Sequence, residues 1–179
     1  MVKRLYIPLI LFVILVFEGV ALDILPMNLL SDQLFIIPHW LLIFLLFVTL
    51  FYDQENTYYG ILYGLIFGLL FDIVYTGVLG VYMFSYAIVL LLMAELKKIA
   101  MLNVYVVSLL GLIAICLADV AVHLIFSVIQ SGYMLWEEYA FLRLIPTLIA
   151  NSLFFAIMYP ISRKKLVKWS REQLSEGSF

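Results

Sequence analysis

Long apolar runs follow one another along this chain, with only short polar stretches between them. A helix needs about 20 mainly apolar residues to cross the hydrocarbon core of a bilayer. The sequence therefore predicts six transmembrane helices in one compact bundle, at about 5–25, 33–52, 57–75, 78–96, 103–129 and 141–161. Hydrophobic residues make up 66% of the chain, whereas a soluble domain is roughly half apolar. We expect an all-α polytopic membrane protein, a single integral membrane domain over residues 1–179 that ends in a cytoplasmic tail at 162–179.

The basic residues predict the orientation of these helices, because Lys and Arg are enriched in cytoplasmic segments. If the N-terminus is cytoplasmic, nine of the ten basic residues fall on the inner side and only Arg143 on the outer side. Both termini are then cytoplasmic, in a multi-pass protein. A subset is predicted to anchor the protein to anionic lipids of the inner leaflet, a docking site for a cytoplasmic partner being the alternative: Lys97, Lys98, Arg163, Lys164, Lys165, Lys168 and Arg171.

A glycine-rich helix face is the most distinctive local pattern. Gly60, Gly64, Gly68 and Asp72 recur every four residues in the third apolar run, and residues four apart lie on one face of a helix. In a membrane such a face allows close approach of another helix. Asp72 would lie buried against a neighbour, with a backbone amide of the tight turn at Gly77 to Gly80 as a candidate partner. The predicted helix-packing or partner interface is therefore Gly60, Gly64, Gly68, Asp72, Gly77 and Gly80.

Ionisable residues inside the predicted helices gather in the outer half of the membrane. They are Glu18, His39, Asp72, Asp119, His123 and Arg143. A charge near the bilayer centre costs about 2.5–3.5 kcal/mol, so pairing is expected, and Arg143 is the natural counter-ion for Glu18, Asp72 or Asp119. Either these groups pair with one another and fix the bundle, or they line an outward-facing polar cavity or an interface for another protein's helix.

Motifs for catalysis or cofactor binding are not apparent in the sequence. It contains no Walker loop, no dinucleotide-binding glycine pattern and no His-Glu-x-x-His. Cys116 is the single cysteine, which excludes an internal disulfide or a multi-cysteine metal site. Only two histidines are present, so a metal site at Asp119 and His123 is not expected. We expect no enzyme activity, no catalytic residues, no cofactor, no metal and no nucleic-acid partner.

The segment that contains the glycine face resembles a family signature. Residues 60–72 end in Gly-Leu-Leu-Phe-Asp, and a Leu-Gly pair follows at 79–80. This pattern resembles the best-marked segment of the rod shape-determining protein MreD family, with matching positions at Gly68, Leu69, Asp72, Leu79 and Gly80. The resemblance is most specific over residues 57–82, and elsewhere it rests on length, topology, aromatic-rich outer spans and the basic tail.

This resemblance implies a non-enzymatic scaffold in the bacterial cytoplasmic membrane. MreD proteins belong to the elongation machinery that directs lateral peptidoglycan synthesis. They associate with the bitopic protein MreC, expected here through its single transmembrane helix, and indirectly with MreB, RodA and a class B penicillin-binding protein. Their fold is similar to the S components of energy-coupling-factor transporters. The glycine face would then be either an internal packing seam or the surface for the MreC helix.

A substrate-binding S component of a vitamin transporter is the alternative function. Such subunits share the size and the helix number, and an outer polar pocket would suit one. They usually carry an Ala-x-x-x-Ala face on the first helix, whereas residues 5–25 contain only Ala21. An intramembrane enzyme would need a nucleophile with a base, or metal ligands, and the sequence offers neither.

Overall fold

The computed structural model describes residues 5–24, 34–55, 57–129 and 134–176. Within these ranges all regular secondary structure is helical, and six helices follow in the predicted order. Helices α2, α3 and α6 each contain a π-helical turn. The bounds are α1 Tyr6–Ile24; α2 Trp40–Phe47 and Val48–Tyr52; α3 Tyr59–Phe71 and Asp72–Thr76; α4 Val81–Ile99; α5 Val104–Ile129; and α6 Trp136–Tyr139, Ala140–Leu144 and Ile145–Glu176.

Three of the helices are long and apolar enough to cross a membrane, namely Tyr59–Thr76, Val104–Ile129 and Trp136–Gln173. Two shorter apolar stretches, Tyr6–Ala21 and Trp40–Tyr52, accompany them. The all-helical prediction is therefore confirmed for the described residues, and three of the predicted spans meet the length and composition of a membrane-crossing helix.

Helix α2 differs most from the prediction, since it was expected over 33–52 and begins only at Trp40. Residues 34–39 are not helical, and we call them the lead-in segment. The apolar character of this stretch predicted a membrane-spanning helix and could not show that its backbone lacks helical hydrogen bonds. At 1.5 Å per residue α2 is about 20 Å long, shorter than the roughly 30 Å hydrocarbon core.

Helix α2 forms the centre of the bundle. Its residues from Leu41 to Tyr52 are all buried, and each of the other five helices contacts it. A helix that is apolar on every side must be surrounded by other helices or by lipid, and here the other helices surround it. The short α2 is therefore a core helix, and its two ends need hydrogen-bond partners from neighbouring helices.

Helix α6 is longer than expected. It was predicted over 141–161 with a tail after it, and instead it begins at Trp136 and continues through Glu176. Pro160 lies inside the helix, and neighbouring helices in a bundle can compensate the hydrogen bond that proline removes. Beyond Pro160, Ser162 and Leu166 are buried, so the predicted tail continues to pack against the bundle.

Candidate functional site

Asp72 is buried at the end of α3 and caps the beginning of α4. Its Oδ2 accepts the N–H of Gly80 at 2.9 Å and of Met83 at 3.2 Å, and its Oδ1 accepts the N–H of Tyr82 at 2.9 Å. The first amides of a helix have no partner within it, and a carboxylate there also faces the positive end of the helix dipole. The amide of Gly80 thus supplies the partner expected at this turn, and the acid is satisfied inside the α3–α4 hairpin.

The glycine face is a seam between α3 and its neighbours α2 and α4. A Cβ on Gly68 would lie 2.7 Å from the Cα of Met83, and one on Gly64 would lie 2.6 Å from Leu90 Cδ1. A Cβ on Gly60 would overlap the Thr49 hydroxyl. Of the two uses considered for this face, internal packing is the one present in the structure.

Asp119 is the centre of a buried polar cluster. Arg143 donates to its Oδ1 from Nη2 at 3.1 Å and from Nε at 3.3 Å. The Tyr139 hydroxyl donates to Oδ2 at 2.8 Å, and His39 Nε2 lies 3.3 Å from Oδ1. On its other side, His39 Nδ1 lies 3.0 Å from the Tyr86 hydroxyl. Among the three carboxylates considered as partners of Arg143, the structure selects Asp119.

His123 lies beside this cluster without bonding to Asp119 directly. Its ring stacks on Tyr139 with 3.8 Å between the centroids and meets the edge of Trp136 at 4.8 Å. Among the described residues, no group of three or more His, Cys, Asp or Glu side chains is placed to hold a metal ion. The geometry around His123 is therefore one of aromatic packing.

The lead-in segment is attached to α6 through alternate residues. The amide of Phe35 donates to the Leu142 carbonyl at 2.8 Å, that of Ile37 to Thr147 Oγ1 at 3.1 Å, and that of His39 to Asn151 Oδ1 at 2.7 Å. Asn151 also donates from Nδ2 to the Ile37 carbonyl at 2.8 Å.

Non-helical backbone is tolerated at membrane depth only where protein surrounds it. The π-helical turn at Ala140–Leu144 contributes here, because the Leu142 carbonyl of this turn accepts the hydrogen bond from Phe35. Such turns interrupt the regular hydrogen bonding of a helix and frequently occur at functional positions. The lead-in segment is therefore half-buried, and the amides of Phe35, Ile37 and His39 have partners on α6.

Glu18 is fully buried on α1 and contacts the beginning of α2. Its Oε2 accepts the N–H of Leu41 at 2.7 Å. Glu18 thus caps α2 as Asp72 caps α4, but with one amide instead of three. Glu18 and Asp72 bond to helix ends and not to Arg143. The predicted outer-half cluster is therefore not one group: Glu18 contacts the beginning of α2, Asp72 contacts the beginning of α4, and Asp119 pairs with Arg143.

The opposite end of α2, which we call the Lys97 end of the bundle, is also held by side chains. Lys97 Nζ donates to the carbonyls of Thr49 at 3.0 Å and Asp53 at 2.6 Å, and Ser170 Oγ donates to the Tyr52 carbonyl at 3.0 Å. The last carbonyls of a helix have no partner within it. Helices α4 and α6 therefore bind the end of α2.

Asp53 caps α3 just beyond the end of α2. Its two carboxylate oxygens accept the amides of Tyr59 and Gly60, each at 2.9 Å. Burial raises the pKa of Asp53 to about 6, against the lowering effect of these two amides and of the Lys97 charge. With Glu18 and Asp72, Asp53 completes a pattern in which α2, α3 and α4 each begin at an acid supplied by the preceding part of the chain.

The remaining predicted anchor residues lie on the surface of the Lys97 end. Five of them are exposed side chains on the final turns of α6: Arg163, Lys164, Lys165, Lys168 and Arg171. Lys98 bonds only to the exposed Glu95, at 2.6 Å. Trp169, between the basic positions, stacks on Tyr6 of α1 with 6.0 Å between the centroids. Lys97 differs from these residues because it is half-buried and bonded to the α2 carbonyls.

Several residues that hold these contacts were not predicted as site residues. Tyr86 and Tyr139 complete the Asp119 cluster, but nothing distinguishes them from the other aromatic residues of a membrane sequence. Thr147 and Asn151 are four residues apart on α6, and an amide side chain in an apolar helix is a recognisable signal. Asp53, six residues before α3, matches the preference for acids at helix beginnings.

Comparison with known proteins identifies the family of this bundle. The sequence model described as rod shape-determining protein MreD matches residues 3–168. The rod shape-determining protein MreD of Bacillus subtilis (strain 168) is 31% identical over 150 residues, which are 83% of this chain and 85% of that protein.

This chain belongs to the MreD family. No solved structure matches it. The positions that carry the resemblance to MreD lie in the α3–α4 hairpin, where Gly68 packs against α4 and Asp72 caps it. Membership supports a role in determining rod shape. The segment that carries the resemblance is therefore a helix-packing and capping element in this structure.

Proposed function

We propose that this MreD-family chain is a non-enzymatic membrane scaffold of the machinery that maintains rod shape and directs lateral peptidoglycan synthesis. The observation that carries the proposal is the family match over almost the whole chain. The structure supports it, because the buried acids Asp72, Asp53 and Asp119 bond to helix ends or to Arg143. These contacts stabilise a bundle of helices, as a scaffold requires.

We further propose that the bundle binds MreC through the lipid-facing surface of its helices, and through MreC acts on MreB, RodA and a class B penicillin-binding protein. The glycine seam is filled by residues of α2 and α4, so a partner helix would dock elsewhere. Many large apolar side chains are exposed on the outside of α1, α5 and α6, for example Phe12, Leu109 and Leu153.

The proposed location is the bacterial cytoplasmic membrane, with the Lys97 end facing the cytoplasm. The exposed basic side chains at this end support that orientation, because they would contact anionic headgroups at about 1 kcal/mol per residue. The stacked Tyr6 and Trp169 lie among them, and aromatic residues are typical of the membrane–water interface. The Asp119 cluster would then lie in the outer half of the membrane.

Co-purification tests the proposed partner. The tagged chain is expressed in its own cells at native level, extracted in mild detergent, and tested for recovery of MreC, with a tagged unrelated six-helix protein as control. Specific recovery of MreC, together with rounding of cells on depletion, is the expected result. Retention of a vitamin without MreC, in cells that stay rod-shaped, would instead favour the transporter subunit.

A further inference from the structure

Glu18 has an oxygen without a partner in a place that water does not reach. The side chain is 0% exposed. Oε2 accepts one amide hydrogen bond, from Leu41. No group of the described residues bonds to Oε1. A buried polar atom without a partner is destabilising, and more so if it is charged.

The other buried acids of the bundle have more donors. Asp72 accepts three amides, Asp53 accepts two and lies near a lysine, and Asp119 accepts from arginine and tyrosine. A buried carboxylate is stable in its charged form when two or three hydrogen bonds or a counter-ion compensate its lost hydration. Glu18 has a single amide donor and no ion pair with a described residue.

Arg143 does not compensate Glu18, because its guanidinium group is bonded to Asp119. Without a cation or a second donor among the described residues, the neutral form of a fully buried carboxyl group is favoured over the charged form.

We propose that Glu18 is a proton-binding site, held as a neutral carboxylic acid inside the membrane. The proton resides on Oε1, and the carbonyl oxygen Oε2 accepts the N–H of Leu41 and caps α2. The neutral form keeps the Leu41 hydrogen bond between α1 and α2 without a buried charge. Loss of the proton would leave an uncompensated charge at the beginning of α2, and the contact between α1 and α2 would weaken at this point.

Two buried acids at the same end of the bundle then differ in charge. Glu18 is neutral, whereas Asp119 is ionised and paired with Arg143. This difference yields a matched pair of isosteric substitutions. Glu18→Gln keeps a carbonyl acceptor and, like the protonated Glu18, carries no charge. Asp119→Asn removes a negative charge that Arg143 requires.

Infrared spectroscopy of the protein in lipid nanodiscs tests the proposal. The carbonyl stretch of a protonated carboxylic acid is distinct from that of a carboxylate, and at about pH 7 the other acids are expected to be largely ionised. We expect this band in the wild type, its loss in Glu18→Gln, and its retention in Asp119→Asn. Absence of the band from the wild type, or its persistence in Glu18→Gln, would overturn the proposal.

Thermal unfolding of the same variants gives an independent readout. Glu18→Gln is expected to unfold close to the wild-type temperature, and Glu18→Ala clearly below it because the Leu41 amide loses its acceptor. An equal loss of stability in Glu18→Gln and Glu18→Ala would contradict a neutral acid. Glu18→Lys is expected to fail to fold and serves as the negative control.

Discussion

Replacing Asp72 by alanine removes the cap on α4 without adding any steric conflict. The amides of Gly80, Tyr82 and Met83 lose their acceptor, and the amide of Tyr82 is buried. At about 1–2 kcal/mol for each unsatisfied amide, the loss is roughly 3–6 kcal/mol. For a chain of this size, 1 kcal/mol corresponds to about 2–4 °C in unfolding temperature. We therefore expect a decrease of about 10 °C or more.

The assay is thermal unfolding of the purified protein in detergent, followed by tyrosine and tryptophan fluorescence. Asp72→Asn retains one acceptor oxygen and is expected to lose about half as much stability as Asp72→Ala. Glu95→Ala is the matched control, because Glu95 is 56% exposed and bonds only to Lys98; its expected cost is within about 0.5 kcal/mol. If Asp72→Ala were as mild as Glu95→Ala, the capping role would be refuted.

Three further pairs of proteins test other contacts by the same unfolding assay. Lys97→Met should cost about 1–3 kcal/mol of stability, because two carbonyls lose their donor. Lys98→Met should leave the unfolding temperature unchanged, and equal effects of the two substitutions would contradict a structural role for Lys97. Gly68→Ala should cost about 1–3 kcal/mol of stability, since the added Cβ meets the backbone of Met83. Gly64→Ala should cost less, because the side chain of Leu90 can move. A larger loss of stability in Gly64→Ala than in Gly68→Ala would argue against the seam. The raised pKa of Asp53, about 6, means that the folded state binds its proton more tightly, so stability should rise as pH falls from 7 towards 4. The wild type should show a steeper rise than Asp53→Asn, and identical pH profiles would contradict the assignment.

The sequence determines much of the helical architecture. Apolar runs of sufficient length identified the helices in their correct order, and the four-residue spacing of Gly64, Gly68 and Asp72 identified the face that packs most closely. The acid at the end of that face correctly indicated a hydrogen bond to the following turn, because a carboxylate in an apolar environment requires donors nearby in the chain or in space.

The contacts around α2 could not be predicted in the same way. Apart from Pro38 and His39, the lead-in segment is as apolar as α2. Its non-helical backbone is stabilised by tertiary hydrogen bonds to Leu142, Thr147 and Asn151. Pairing of Arg143 with Asp119 depends on which helices are neighbours, and residues 24 positions apart on separate helices carry no periodic signal. The length of α6 beyond Pro160 likewise depends on packing of Leu166 that hydropathy does not reveal.

The central claim is that Glu18, Asp53 and Asp72 each satisfy the beginning of one particular helix. Amide hydrogen–deuterium exchange of the reconstituted protein tests it most directly, because it reports each helix beginning separately. Glu18→Ala should accelerate exchange at Leu41 and leave Tyr82 unchanged, whereas Asp72→Ala should accelerate exchange at Gly80, Tyr82 and Met83 and leave Leu41 unchanged. Exchange that stayed the same at these amides, or rose equally throughout the bundle in both variants, would contradict the claim.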